Sequence, residues 1–142
     1  MDEIRRVLRP GGRFVMSFWG APERVDLWRA WTPAILELSP PEELDSSGDL
    51  LRIGEPGEAE RLLRAAGFTP DRRSSTVAHL EFVDVEVAAR AFCSTGPSWA
   101  AANHSGEEAL RSRLVELMRP FQSPRTGIVR LVNEWSFVTA QG

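Results

Sequence analysis

Apolar positions along the chain divide it into short strands and amphipathic helices separated by Pro- and Gly-rich turns. Ile4, Val7 and Leu8 recur at i, i+3 and i+4, a helical face with room for barely two turns before Pro10. Pro10 removes a backbone donor, Gly11 or Gly12 can take the left-handed conformation that ends a helix, and Phe14 to Trp19 is an apolar run of strand length. The chain therefore opens on an αβ unit, and the strands expected before such a unit are not in the sequence. Gly20 to Glu23 forms a turn. Leu27, Trp28, Trp31, Ala34, Ile35 and Leu38 then fall at helical spacing; Pro33 kinks that helix or divides it in two, and Ser39-Pro40-Pro41 ends it. The stretch Glu42 to Ile53, with Asp45-Ser46-Ser47-Gly48-Asp49, is polar and turn-rich and reads as a mobile loop.

The pattern continues in the second half. Glu58 to Ala66 is helical, with Leu62 and Leu63 inward, Gly67 closing the helix and Phe68 packing back over its last turn. Ser74 to Val83 alternates as a strand, with Ala78, Leu80 and Phe82 opposed to His79 and Glu81. Asp84 caps a helix bearing Val87, Ala88, Ala91 and Phe92, which Gly96-Pro97 terminates. Trp99 to Ala102 forms a short helical turn or part of a lid. Ser105-Gly106-Glu107-Glu108 is a capping box opening a helix with Leu110, Leu114, Leu117, Met118 and Phe121 on one side. Ile128 to Thr139 is the last strand, with Val129, Leu131, Trp135 and Phe137 sharing a face. The fold class is α/β, with about three strands and about five helices in a single domain, 1–142.

Composition narrows the function classes. At 142 residues the chain can bury a real core without disulfides. Cys93 is the only cysteine and no charged-then-apolar leader follows Met1, so the cytoplasm is the expected compartment. A formal charge of −3 gives no general attraction to nucleic acid or anionic lipid, and no apolar run approaches the ~20 residues that span a bilayer. The seventeen basic residues are all arginine and tyrosine is absent, so neither lysine nor tyrosine can act as base or nucleophile.

Two segments carry a family resemblance. Glu3-Ile4-Arg5-Arg6-Val7-Leu8-Arg9-Pro10-Gly11-Gly12-Arg13-Phe14-Val15-Met16 resembles the lead into the fifth strand of class I S-adenosylmethionine (SAM)-dependent methyltransferases, of the ubiquinone/menaquinone biosynthesis type (methyltransferase type 11). Glu58 to Thr69, with its Ala66-Gly67-Phe68, is similar to that family's helix before the sixth strand. The resemblance spans essentially the whole chain but only the family's C-terminal half. It implies a partial Rossmann-like methyltransferase fold, its last strand antiparallel between the other two in the order 13–19, 128–139, 75–83. It also implies acceptor-binding insertions at about 20–53 and 84–121. The family's SAM site implies a Gly-rich loop after its first strand and an acidic residue ending its second; neither has a counterpart here. No cofactor-binding residue is therefore assigned, and SAM is expected only with a complementary N-terminal half.

The resemblance frames the expected function: the acceptor-binding part of a SAM-dependent small-molecule methyltransferase, inactive without an N-terminal SAM-binding half. The alternative is a non-methylating ligand-binding or cyclase-like protein that kept the acceptor pocket; a purely structural subunit is a third reading. In this arrangement one edge of Arg13 to Trp19 is left unpaired beside an apolar face, which predicts a homodimer or docking of a complementary methyltransferase half through that strand.

Candidate chemistry is sparse. His79 and His104 are far apart, and no Cys/His cluster with metal spacing accompanies them, so no metal is expected. Cys93 follows Phe92 on an apolar helix and reads as a small core residue. His104 lies where the resemblance implies acceptor contacts; it is either a base for a phenol or enol acceptor or an exposed loop residue. Trp19 ends a strand, Trp28 and Trp31 are i, i+3 neighbours, and Trp99 lies in the later insertion. Together they wall a pocket for a small aromatic, quinone-like or polyketide-like molecule, or they pack as ordinary core.

Overall fold

The computed structural model describes residues 1–43 and 52–142. The loop read over Glu42 to Ile53 falls mostly outside the described residues. Helix α1 (Asp2–Val7) leads through the Pro-Gly-Gly turn into β1 (Arg13–Trp19); α2 (Asp26–Ala30) and α3 (Thr32–Leu38) follow. Helix α4 (Glu58–Ala65) precedes β2 (Thr69–Phe82), and α5 (Val85–Cys93), α6 (Ser98–Ser105) and α7 (Glu107–Met118) lead to β3 (Val129–Gln141). Pro33 divides the Trp-bearing helix, which breaks at Trp31 where the backbone leaves helical geometry (φ −130°, ψ −46°). The Ala-rich run after Trp99 has high helix propensity and becomes α6. These two features supply helices beyond the expected five.

The strands form one sheet in the order β1-β3-β2, with β3 antiparallel to both neighbours. This is the order and direction implied by the family resemblance. Strand β2 begins five residues before the expected Ser74, and its register shifts between Pro70 and Arg72. Its polar first half is held by backbone pairing to the end of β3 rather than by buried side chains.

Because side chains alternate, the two halves of β3 feed cores on opposite faces. Val129 and Leu131 join Leu80, Phe82 and helices α2, α3, α5, α6 and α7 on one face. Val138 and Ala140 join Phe14, Phe18, Leu63 and Phe68 beneath α1 and α4 on the other. Burying a Leu or Phe side chain contributes about 1.5–3 kcal/mol, so each half-core holds its own end of the sheet. The uncovered part of β1 is consequently less apolar than expected: Phe14, Met16 and Phe18 face the second core, leaving Arg13, Val15 and Ser17 outward. Val15 is 56% exposed, and among the described residues β1 pairs with β3 alone.

Several local expectations are corrected. In α4 the buried residues are Ala59 and Leu63, with Leu62 on the solvent side; in α5 they are Val85, Ala88, Ala89 and Phe92, with Ala91 exposed. Asp84 caps α5 as expected, its Oδ1 accepting from Val87 N at 2.7 Å. Ser105 does not form a capping box: it ends α6, and its hydroxyl donates 2.8 Å to Leu38 O at the end of α3. Gly106 (φ 91°) starts α7 instead, so a tertiary hydrogen bond has displaced the local cap.

Gly67 closes α4 with φ +79°, and Arg5 reaches across from α1 to donate 3.3 Å to Ala66 O. A Cβ at Gly67 would run into the Arg5 guanidinium. Gly67→Ala is expected to lower stability by about 1–2 kcal/mol from the left-handed backbone alone. Urea unfolding measures this; an unchanged midpoint would mean that neither the conformation nor the Arg5 contact matters.

Candidate ligand-binding site

Beyond Trp19 the chain turns through Gly20 and Ala21, and Gly20 N still donates 2.8 Å to Glu134 O. Val25 then returns to β3 in an isolated bridge with Asn133, covering the edge of β3 that β1 no longer reaches. Two polar side chains fix the start of α2 here. Asn133, fully buried, accepts from Leu27 N at 2.9 Å, and Asp26 Oδ2 accepts from Val132 N at 2.9 Å. Helix α2 is thereby tied to the sheet, with Trp28 against Trp19 at the C-terminal end of β1 and Trp31 stacked on Trp28.

A cavity of about 650 Å³ lies there. Its wall is a run of touching aromatic rings. Trp135 meets Trp19 edge-on (centroids 4.4 Å, 82°), Trp19 meets Trp28 (6.4 Å, 82°), Trp28 stacks on Trp31 (6.4 Å, 29°), and Trp31 abuts Phe92 (6.3 Å, 39°). Such edge and offset contacts add to the burial energy of each ring. Ile35, Leu80 and Pro97 complete the apolar lining, and Ser17, Thr32 and Thr95 contribute hydroxyl-bearing residues. Among the described residues the lining contains no acid, arginine or histidine. Among the described residues the wall is aromatic and aliphatic with three hydroxyls and no titratable group, so contact rather than charge would hold whatever enters it.

The structure therefore brings Trp19, Trp28 and Trp31 together and does not bring Trp99 or His104 to the same wall. Trp99 is 67% exposed on α6, one residue after the buried Ser98, and His104 is exposed in the last turn of that helix. Trp135 and Phe92 also belong to the wall, although in the sequence both read as ordinary core. The pairing of Trp135 with Trp19 follows from strand register, and Phe92 sat in a helix that reads as core. Cys93 is partly buried; burial pushes its thiol up, Glu107 adds to this and Arg111 opposes it, so it stays protonated at neutral pH. Among the described residues no group of His, Cys, Asp or Glu could hold a metal, and no helix is long and apolar enough to cross a membrane.

No family model and no curated protein matches the chain. Among solved structures it is similar to a Bacillus halodurans protein described as a candidate methyltransferase, at 17% identity and a TM-score of 0.49. The match covers 99% of this chain and 55% of that one, so the chain spans about half of that protein's length.

Proposed function

We propose that this chain is the acceptor-binding part of a SAM-dependent methyltransferase of small molecules. The observation that carries the reading is the position of the last strand, antiparallel between β1 and β2, as the Pro-Gly-Gly and Ala-Gly-Phe segments imply. The aromatic cavity at the C-terminal end of β1 supports it, since ligands of open α/β sheets bind beyond the carboxyl ends of the strands. Catalysis in this reading is positioning: the wall aligns a flat acceptor with a methyl donor held elsewhere. In this reading the methyl donor is held by a complementary N-terminal half, since a SAM carboxylate would sit on a Gly-rich loop at a helix N-terminus and these residues carry none. The edge of β1 that pairs with no strand among the described residues is the proposed seat of that half or of a second copy of the chain.

The uncharged lining favours one rival over another: a ligand-binding module needs no titratable wall, whereas a cyclase acting through a base does. Trp99 is proposed as a rim residue beside Pro97; His104, exposed on α6 and not part of the cavity lining, is given no step in this reading. Saturable quenching of indole fluorescence by 1,4-naphthoquinone tests the site. Trp28→Ala is expected to weaken binding markedly and Trp99→Ala less; purely collisional, non-saturating quenching would overturn the pocket.

A further inference from the structure

The first residue of α6, Ser98, is fully buried. The Nε1 of Trp31 donates to Ser98 Oγ at 2.9 Å, Ser98 Oγ lies 3.1 Å from Thr95 Oγ1, and Thr95 Oγ1 donates to Phe92 O at 2.7 Å. An indole N–H can only donate, and each hydroxyl has one proton. Thr95 has one proton for two acceptors, Ser98 Oγ and Phe92 O, so all three contacts are hydrogen bonds at once in one arrangement only: indole to Ser98, Ser98 to Thr95, Thr95 to the carbonyl of Phe92. Every donor in this chain, part-buried apart from the fully buried Ser98, is used, and its links strengthen one another as water is excluded.

The stacked partner behaves differently. Trp28 Nε1 is buried with no hydrogen-bond partner among the described residues, where packing holds that ring. Trp31 stands at the break between α2 and α3, joined by the chain to the far side of the cavity, where Thr95 and Phe92 also line the wall. We propose that Ser98, relayed through Thr95, is a positioning residue that fixes Trp31 as the rigid wall against which a planar ligand aligns. The proposal rests on reading the cavity as the acceptor site. Packing would suffice to bury the ring; the hydrogen bond selects one orientation of it.

The test uses Ser98→Ala, Ser98→Thr and Trp31→Phe in the full chain, read by the near-ultraviolet circular dichroism of the indoles and by naphthoquinone titration well below the unfolding temperature. Ser98→Ala is expected to flatten the indole bands and weaken naphthoquinone binding about tenfold, the scale of stranding one buried donor. Ser98→Thr keeps the hydroxyl and retains both signals. Trp31→Phe removes the donor, weakens binding similarly, and makes subsequent loss of the Ser98 hydroxyl inconsequential; it carries the test if Ser98→Ala does not fold. Lowered melting temperature with unchanged bands and affinity would reduce Ser98 to a structural role and overturn the proposal. If the wild-type chain bound no naphthoquinone, the acceptor reading would fall instead, and the indole bands alone would decide the clamp.

Discussion

Asn133→Leu is expected to destabilise the chain by about 1–3 kcal/mol, the cost of leaving a buried amide without its partner, and to abolish saturable quenching of the indoles. Asn133 sits at an inward position of β3, where Leu131 and Val129 precede it on the same face. Its Oδ1 accepts from Leu27 N in the first turn of α2, one of the amides a helix cannot satisfy internally, while Nδ2 donates 3.2 Å to Leu131 O. Val25, which precedes α2, offers no side-chain cap, so the sheet supplies one. Leucine would conserve volume but strand the amide, and the start of α2 would lose one of its two polar ties to β3. The cavity depends on that placement through Trp28 and Trp31. Urea unfolding and the naphthoquinone titration measure the two effects; an unchanged midpoint with intact binding would show that packing alone seats α2.

The second large effect concerns assembly. The chain is expected to sediment as a dimer at micromolar concentration, or to be captured by a complementary half, with β1 buried in the contact. Val15→Lys is expected to abolish that association. Val15 is exposed in the middle of β1, so the substitution removes no core contact and should change stability by no more than about 0.5 kcal/mol. A lysine beside a free edge is the usual device that keeps strands from pairing with a neighbour. Sedimentation velocity of both proteins reads the outcome. A wild-type monomer whose β1 amides are protected from hydrogen exchange would mean that the edge is covered from within the chain.

Much of this fold was legible because its apolar spacing is regular. The Pro10-Gly11-Gly12 turn, the division at Pro33, the Asp84 cap and the alternation of β2 from Ala78 to Phe82 are local signals, and each appears in place. Residues 69–73 were not legible as strand. Pro70, Asp71, Arg72 and Arg73 show no apolar alternation, and they are extended because β3 offers a backbone partner. Ser105 misled for a related reason: its sequence context offered a local cap, while the fold offered Leu38 O. At the site, the i, i+3 spacing of Trp28 and Trp31 gave half of the wall. The rest came from register, which sets Trp135 opposite Trp19, and from helix docking, which brings Phe92 and Ser98 to Trp31. Asn133 did leave a trace: it is the polar member of an inward series running Val129, Leu131, Asn133, Trp135, and a buried polar residue at such a position needs a partner.

Calorimetric titration with SAM and its demethylated product, on the 142-residue chain alone and again with a separately made N-terminal methyltransferase half, tests the central claim most directly. The expected result is no measurable binding by the chain alone, with both cofactor binding and methyl transfer appearing when the two halves are combined. Tight, stoichiometric SAM binding by this chain without a partner would contradict it, because the cofactor site would then be formed by residues assigned here to the acceptor wall or to the core.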